Sequence, residues 1–496
     1  MSNVLRKLPS VNELLESPQL KRMVQRVNRN VVVSGVRTFL DNLRIDVQST
    51  ASEFHVPSPS ELADRIARWI AAEESPRLRP VINATGILLH TGLGRAPLAE
   101  DALRAIEETS RGYCSLEVDL TSGERSQRIR EVERLLQQLT GAEAAAVVNN
   151  NAAATLLVLT ALAHGREVVV SRGQLVEIGG SFRLPEVMTS AGAHLREVGT
   201  TNKTRLSDYQ QAITAETAAL MRVHSSNYRI VGFTEQVSLE DLVALGRRRR
   251  VPVIDDIGSG ALLDLSKYGV EGEPIAADSI KAGADLVLFS GDKLLGGPQC
   301  GIIVGRKVYV ERIASHPMMR ALRVDKTVLA ALAATLRLYR DPAAAEQSVP
   351  LLSLLSTPLE NLKLRASRLA PQMASVAAIE DAEAIEDVAY LGGGSVPSQE
   401  LATWCIALKP ANGSVEKLAQ SLRTGTPSVF GRIKQDRLLL DLRSIAPRYD
   451  TQLVAAVEAL DRTESRNGKE EADAEGKDGE SESSAAEHAA AESTGS

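Results

Sequence analysis

Two apolar runs separated by one short turn constrain this chain most. Leu286-Val287-Leu288-Phe289 and Gly301-Ile302-Ile303-Val304-Gly305 each have the length and composition of a buried strand. Between them lies Ser290-Gly291-Asp292-Lys293-Leu294-Leu295-Gly296-Gly297-Pro298, so one lysine sits on a tight turn between two strands. A lysine in apolar surroundings is costly to keep charged, so its pKa falls and its amine becomes a nucleophile. A residue that forms a Schiff base needs that property. The glycines let a flat ring approach the backbone, and Ser290 can offer a hydroxyl to a phosphate. The plainer reading is a surface hairpin whose lysine points at water; the long apolar flanks and the Gly-Gly-Pro turn weigh against it.

A second stretch fits the first. Val251-Pro252-Val253-Ile254-Asp255-Asp256-Ile257-Gly258 reads as a buried strand ending in two carboxylates, about 37 residues before Lys293. Such a carboxylate can ion-pair with the pyridine nitrogen of pyridoxal phosphate (PLP) and make the ring an electron sink. Side chains alternate along a strand, so the two do not face the same way. Asp256 is the stronger candidate and Asp255 the alternative; a helix cap or structural ion pair is the plainer reading. Upstream, the strand Ala144-Ala145-Ala146-Val147-Val148 runs into Asn149-Asn150-Asn151-Ala152 and a helix. Asn150, Asn151 and Ala152 at a helix N-terminus suit a phosphate cradle, whereas a plain asparagine cap explains one asparagine and not three. Polar residues gather after successive strands, where open α/β sheets bind ligands. His224 ends one of them and reads equally well as a core histidine or a catalytic one.

These stretches sit inside a longer pattern. Strands and helices alternate from about residue 80 to 325, the mark of an α/β domain with a mostly parallel sheet. The expected architecture is a large PLP-binding α/β domain over 76–340, a small α+β domain over 341–463 and a small helical domain over 1–75. Lys21, Arg22, Arg26, Arg29, Arg37 and Arg44 face one acid, Asp41, in the helical part. Such a cluster can neutralise a phosphate backbone, or it is simply a solvated helix face. Ser10 with Glu13 forms a capping-box pattern, and Ser60 is expected to cap a helix over 61–74. Residues 464–496 hold ten acidic and three basic residues and no aromatic, so they are expected to be disordered. That tail's net charge is 3 − 10 = −7 against −6 for the whole chain, which leaves the remainder near +1 and open to a polyanion. Cys114, Cys300 and Cys405 have no metal-binding spacing, so no metal is expected. No leader pattern and no run near ~18 apolar residues is visible, so no membrane and a cytoplasmic setting are expected.

Longer motifs carry a resemblance. INATGILLHTGLGRAPL (82–98), GYCSLEVDLTSGERSQR (112–128), VVNNNAAAT (147–155), SRGQLVEIGGSFRLPEVM (171–188), GTTNKT (199–204), IDDIGSGAL (254–262) and SGDKLLGGPQCG (290–301) resemble the bacterial selenocysteine synthase family, within the fold-type I PLP enzymes. The likeness runs from about Leu8 to about residue 460 and excludes the acidic tail. Gln174 departs from it, standing where that family has a glutamate. The resemblance implies a PLP-dependent conversion of seryl-tRNA(Sec) to selenocysteinyl-tRNA(Sec) with selenophosphate. It implies Lys293 as the residue that carries PLP, with Asp292 beside it needed for activity. It further implies Arg95, Arg320 and Arg323 as holders of the selenium donor, an N-terminal domain that grips the tRNA, and a homo-oligomer, typically a decamer, with active sites at subunit interfaces. From the sequence itself, Arg320 and Arg323 are three apart on an expected helix and so share a face.

Two other readings remain. A PLP-dependent lyase acting on a small amino acid or amino sugar keeps the fold, but has no use for the basic N-terminal segment. A tRNA-binding protein with a dead site conflicts with the presence of Lys293, Asp256 and Asn150.

Overall fold

The computed structural model describes residues 8–49, 57–74, 76–179, 182–392 and 395–461. The acidic tail lies outside them. Contacts divide the chain into two units, Met1–Pro80 and Val81–Ser496.

The first unit packs the helices Val11–Leu15, Pro18–Arg26, Arg29–Ser49 and Pro59–Glu73 around Leu14, Leu20, Val32, Val36, Leu40, Leu62, Ile66 and Ile70. Ser10 and Glu13 close the capping box. The last helix starts earlier than its sequence suggests. Ser58, not Ser60, is the cap, because Pro59 takes the first helical position and Glu61 reaches back to the Ser58 backbone. All six basic residues between Lys21 and Arg44 are exposed. Among the described residues, Lys21 pairs with Glu16 at 2.7 Å and Arg44 with Asp41 at 2.6 Å.

The second unit is built on a seven-stranded sheet. Its strands are β1 (Ala144–Val148), β2 (Glu167–Ser171), β3 (His194–Val198), β4 (Thr217–Val223), β5 (Val253–Gly258), β6 (Leu286–Ser290) and β7 (Gly301–Gly305). The spatial order is β1-β7-β6-β5-β4-β2-β3, with β7 alone antiparallel to its neighbours. Alternate residues enter two separate cores. Val147, Val169, Leu220, Val253, Val287, Phe289 and Ile302 pack on one face. Val148, Val168, Met221, Ile254, Leu288 and Ile303 pack on the other. A sheet covered on both faces explains why its strands read as unbroken apolar runs rather than as alternating ones.

A five-stranded sheet follows, in the order Arg432–Lys434, Arg437–Asp441, Ser395–Pro410, Ile379–Gly392, Ile87–Leu89. Two features of it differ from the sequence expectation. Ile379–Gly392 and Ser395–Pro410 form one long antiparallel hairpin, although acids fill the first strand. The residues 81–89, expected in the large domain, pair instead with this C-terminal part: Val81–Asn83 with Ser428–Phe430, and Ile87–Leu89 with Ile379–Gly392. Gly86 makes the crossing possible. Its φ is 76°, and a Cβ there would lie 2.2 Å from both Arg432 and Asp441, an ion pair at 2.8 Å beneath it.

The start of β7 is as tight. A Cβ on Gly301 would fall 2.1 Å from the Asn150 carbonyl oxygen at the head of the helix Asn151–Ala163. Backbone cannot swing aside as a side chain can, so Gly301→Ala should lower stability by about 1–3 kcal/mol. Thermal unfolding measures it, and an unchanged midpoint would contradict the packing described.

Candidate active site

The ends of β1, β4, β5 and β6 surround a cavity of about 250 Å³. Its walls include Asn150, Asn151 and Ala152 after β1, His224 and Ser226 after β4, Asp256 and Gly258 at the end of β5, and Ser290 and Lys293 after β6. Arg95 and Gln299 close it, and Ile178, Phe182 and Leu184 supply an apolar side. Sheet topology therefore gathers polar groups at one end of the strands, as open α/β sheets do.

Two opposite charges are buried here. Lys293 is 4% exposed and Asp256 6%. Burial, and then the Arg95 guanidinium, hold the Lys293 amine below the usual lysine range. Burial pushes the Asp256 carboxyl above its usual range, opposed by hydrogen bonds from Asn151 and Thr155. Asn151 Nδ2 donates to Asp256 Oδ1 at 2.8 Å, Thr155 Oγ1 donates to Oδ2 at 2.9 Å, and the Gly258 amide donates to Oδ1 at 3.2 Å. Those bonds fix the carboxylate's direction, and among the described residues no cation forms an ion pair with it.

The neighbouring aspartate is different. Asp255, fully buried, receives both Nε and Nη2 of Arg222 at 2.6 and 2.8 Å. Strand alternation sends the two carboxylates to opposite faces, and Asp255 does not line the cavity. Of the two alternatives left open by the sequence, Asp256 is the one placed at the site.

The three asparagines divide their work in a way the sequence reading did not foresee. The Asn149 backbone N–H donates to the Leu322 carbonyl at 3.0 Å, and its side-chain amide, with nitrogen and oxygen exchanged to satisfy both, reaches the Leu322 and Arg323 carbonyls at 2.6 and 3.1 Å. Asn150 is a plain N-cap, accepting from the Ala153 amide at 2.8 Å. Asn151 holds Asp256. The side chains thus form no shared cradle; what faces the cavity for an anion is the start of the helix Asn151–Ala163, whose first amides have no intrahelical acceptor.

Asp292 and Arg95 meet as an ion pair, Nη1 to Oδ2 at 2.9 Å. Arg95 has φ 63°, rare for a residue with a Cβ. Its amide donates to His90 O at 3.0 Å, and the Ala96 amide to Asp292 O at 3.3 Å, so the turn is fixed from both sides. Arg320 and Arg323 lie elsewhere. They line a separate cavity of about 470 Å³ with Arg128 and His316. They do not share a helix face either: the helix Met318–Leu322 ends before Arg323, which is extended (φ −67°, ψ 144°) and bridged to Val148. The grip of Asn149 on Leu322 and Arg323 explains the early stop. Arg323 Nη1 also lies 4.0 Å from Glu117, which Arg125 and Arg128 hold as well.

Sequence reasoning missed Thr155, Arg222 and the apolar wall. Thr155 stands four residues after Asn151, one helical turn on, and that spacing is the signal that could have found it. Arg222 interrupts the apolar run of β4, a charge that needs a buried partner. Gln174, the departure from the family pattern, accepts from the Val223 amide at 3.1 Å just before His224.

Removing Arg95 removes one cause of the low Lys293 pKa and frees Asp292, which acts in the opposite direction. Arg95→Gln should therefore shift imine formation between Lys293 and pyridoxal phosphate to higher pH, slowing it near neutrality and restoring it in alkali. Stopped-flow absorbance against pH measures this; a profile identical to the parent's would contradict the electrostatic account.

Comparisons with known proteins were consistent with this geometry. The family model described as L-seryl-tRNA selenium transferase matches residues 81–446, and that described as selenocysteine synthase N terminal matches residues 5–44. The chain is 47% identical over 458 residues to an L-seryl-tRNA(Sec) selenium transferase of Geobacter sulfurreducens, covering 92% of this chain and 98% of that one. It is 49% identical over 461 residues to the protein of the same name from Moorella thermoacetica, covering 92% and 97%. Among solved structures, a D-glucosaminate-6-phosphate ammonia-lyase shares the fold, with a TM-score of 0.52 and 20% identity over 78% of this chain and 96% of that one.

Proposed function

This chain belongs to the L-seryl-tRNA selenium transferase family, and from that premise we propose how its residues carry out the reaction. It converts seryl-tRNA(Sec) to selenocysteinyl-tRNA(Sec) and depends on pyridoxal phosphate. When bound, that cofactor supplies an electron sink for charge left on the substrate's α-carbon.

The residues present fit the cofactor. A carboxylate buried without a cation, Asp256, suits a pyridinium nitrogen. A buried amine, Lys293, suits a covalent link to its aldehyde carbon. The amides of Asn151 and Ala152 and the Ser290 hydroxyl suit its phosphate. The burial of Lys293 and Asp256 in one cavity is the observation that carries this assignment.

Lys293, as a neutral amine, takes the α-proton of the seryl ester; the β-hydroxyl departs as water, and selenium from selenophosphate joins the β-carbon. Lys293 then returns its proton to the α-carbon, and water cleaves the selenium–phosphorus bond, releasing phosphate. Asp292 holds Arg95 at the cavity mouth, where a planar guanidinium suits the paired oxygens of selenophosphate. Arg320 and Arg323 lie outside the cavity of their own chain, which fits a donor site completed by a second copy. A homo-oligomer, with a decamer as the form the family resemblance implies, is part of the proposal. Exposed Tyr113, Leu120 and Phe233 are apolar surface of the kind an assembly covers.

The basic helices of the N-terminal unit would bind the tRNA body through phosphates, a use that a small-molecule lyase lacks. Among the described residues no helix is long and apolar enough to cross a membrane.

The test is transfer of labelled selenium from selenophosphate to seryl-tRNA(Sec). Lys293→Ala should keep its fold and lose all transfer; transfer at the parent rate would refute the assignment. Arg320→Ala and Arg323→Ala should retain PLP and tRNA but lose ten- to a hundred-fold or more in the selenium step, since a charge-assisted contact is worth roughly 1.5–3 kcal/mol. Normal, saturable donor kinetics in both would remove them from the donor site.

Filter binding tests the tRNA proposal. Replacing Arg26, Arg29 and Arg37 together by Ala should weaken seryl-tRNA binding by about an order of magnitude or more and flatten its salt dependence. Unchanged affinity at two salt concentrations would place the tRNA contact elsewhere.

A further inference from the structure

One buried acid near the cavity has no part in the account so far. The Glu273 side chain is 2% exposed, and neither of its oxygens receives a hydrogen bond among the described residues. An isolated carboxylate so placed is costly unless a charge or a donor meets it. Its neighbour is His224, whose Nε2 lies 3.7 Å from Glu273 Oε2 and is likewise buried without a partner. A small side-chain adjustment makes that approach a hydrogen bond. With Nε2 turned to Glu273, the other edge of the imidazole is left for the cavity that His224 lines.

The chain holds Glu273 in place. Gly272 takes φ 76°, and Pro274 restricts the residue before it to extended backbone. On one side the Glu271 amide donates to Gln399 Oε1 at 3.1 Å; on the other Ile275 bridges to Ala261. A loop fixed at both ends to bury an unpaired acid is not a solvated surface loop.

We propose that His224 and Glu273 form a proton-donating pair, with His224 delivering the proton that the substrate's departing β-hydroxyl needs and Glu273 as the positioning residue behind it. This rests on the seryl-ester reading above. In the step, Lys293 takes the α-proton, the Cα–H electron pair becomes the second bond between Cα and Cβ, and the Cβ–O bond breaks with its electrons on oxygen. That oxygen takes the His224 proton and leaves as water, and the imidazole regains a proton from solvent.

The other charged groups around the pair are already engaged. Asp256 is held by Asn151 and Thr155, and its backbone carbonyl accepts from the His224 amide at 2.9 Å. Asp255 is paired with Arg222, Asp292 with Arg95, and Glu177 with Arg183. Lys293 is assigned to the α-proton.

A leaving group that needs no proton tests the proposal. The full-length holoenzyme is given the same tRNA carrying serine or β-chloroalanine, and loss of the β-substituent is read by mass spectrometry. His224→Gln and Glu273→Gln should slow loss of hydroxyl by about a hundredfold or more and loss of chloride by less than about threefold. On cofactor-free protein, the rate at which diethyl pyrocarbonate modifies His224 should change in Glu273→Gln, because the acid faces the ring's Nε2. Equal losses on both substrates, or unchanged modification, would overturn the pair. A parent enzyme that expels chloride but never water would overturn the seryl reading instead, and the pair's role with it.

Discussion

Burying an ammonium and a carboxylate in one small cavity is the constraint on which the rest of the structure depends. Each such group costs several kcal/mol to desolvate, and the cost is recovered only through fixed partners. Here the partners are unequal. Among the described residues Asp256 has three hydrogen-bond donors and no ion-paired cation, while Lys293 has neighbouring charges of both signs and a depressed pKa. The site is therefore incomplete as protein alone, and a group with a cationic nitrogen at one end and an aldehyde at the other completes it.

The surrounding architecture follows from holding those two groups. Strands buried on both faces bring Asp256 and Lys293 to the same end of the sheet. The helix after β1 supplies Asn151 and Thr155 one turn apart, so a single rigid element orients the carboxylate. Asp255 meanwhile ties to Arg222, so adjacent aspartates with similar burial serve different ends purely through strand alternation. The Arg95–Asp292 pair, on a turn with positive φ, adds a cation at the cavity mouth and thereby lowers the lysine further.

Much of this was legible in the sequence because it depends on local pattern. Apolar runs marked the strands of the large sheet, and the lysine turn and the Asp-ended strand stood out within them. What was not legible depends on tertiary packing. The hairpin strand Ile379–Gly392 hides among acids because exposed Glu380, Glu383 and Glu386 break up its apolar residues, and the crossing of residues 81–89 to the C-terminal sheet rests on Gly86 over the Arg432–Asp441 pair. Three consecutive asparagines look alike in a string but point to three different partners. Arg323 leaves its helix because Asn149, far away in sequence, holds the backbone there. Glu273 was invisible for the same reason: Gly-Glu-Pro reads as a turn, and nothing local says that its acid turns inward toward His224.

The central claim, that Lys293 is the cofactor-bearing amine of a cavity closed by Asp256, can be tested directly. The holoenzyme is reduced with borohydride, digested, and mapped by mass spectrometry. The account predicts a phosphopyridoxyl group on Lys293 alone, absent when Asp256→Ala protein fails to retain the cofactor. The group on another lysine, or full retention without the Asp256 carboxylate, would contradict it.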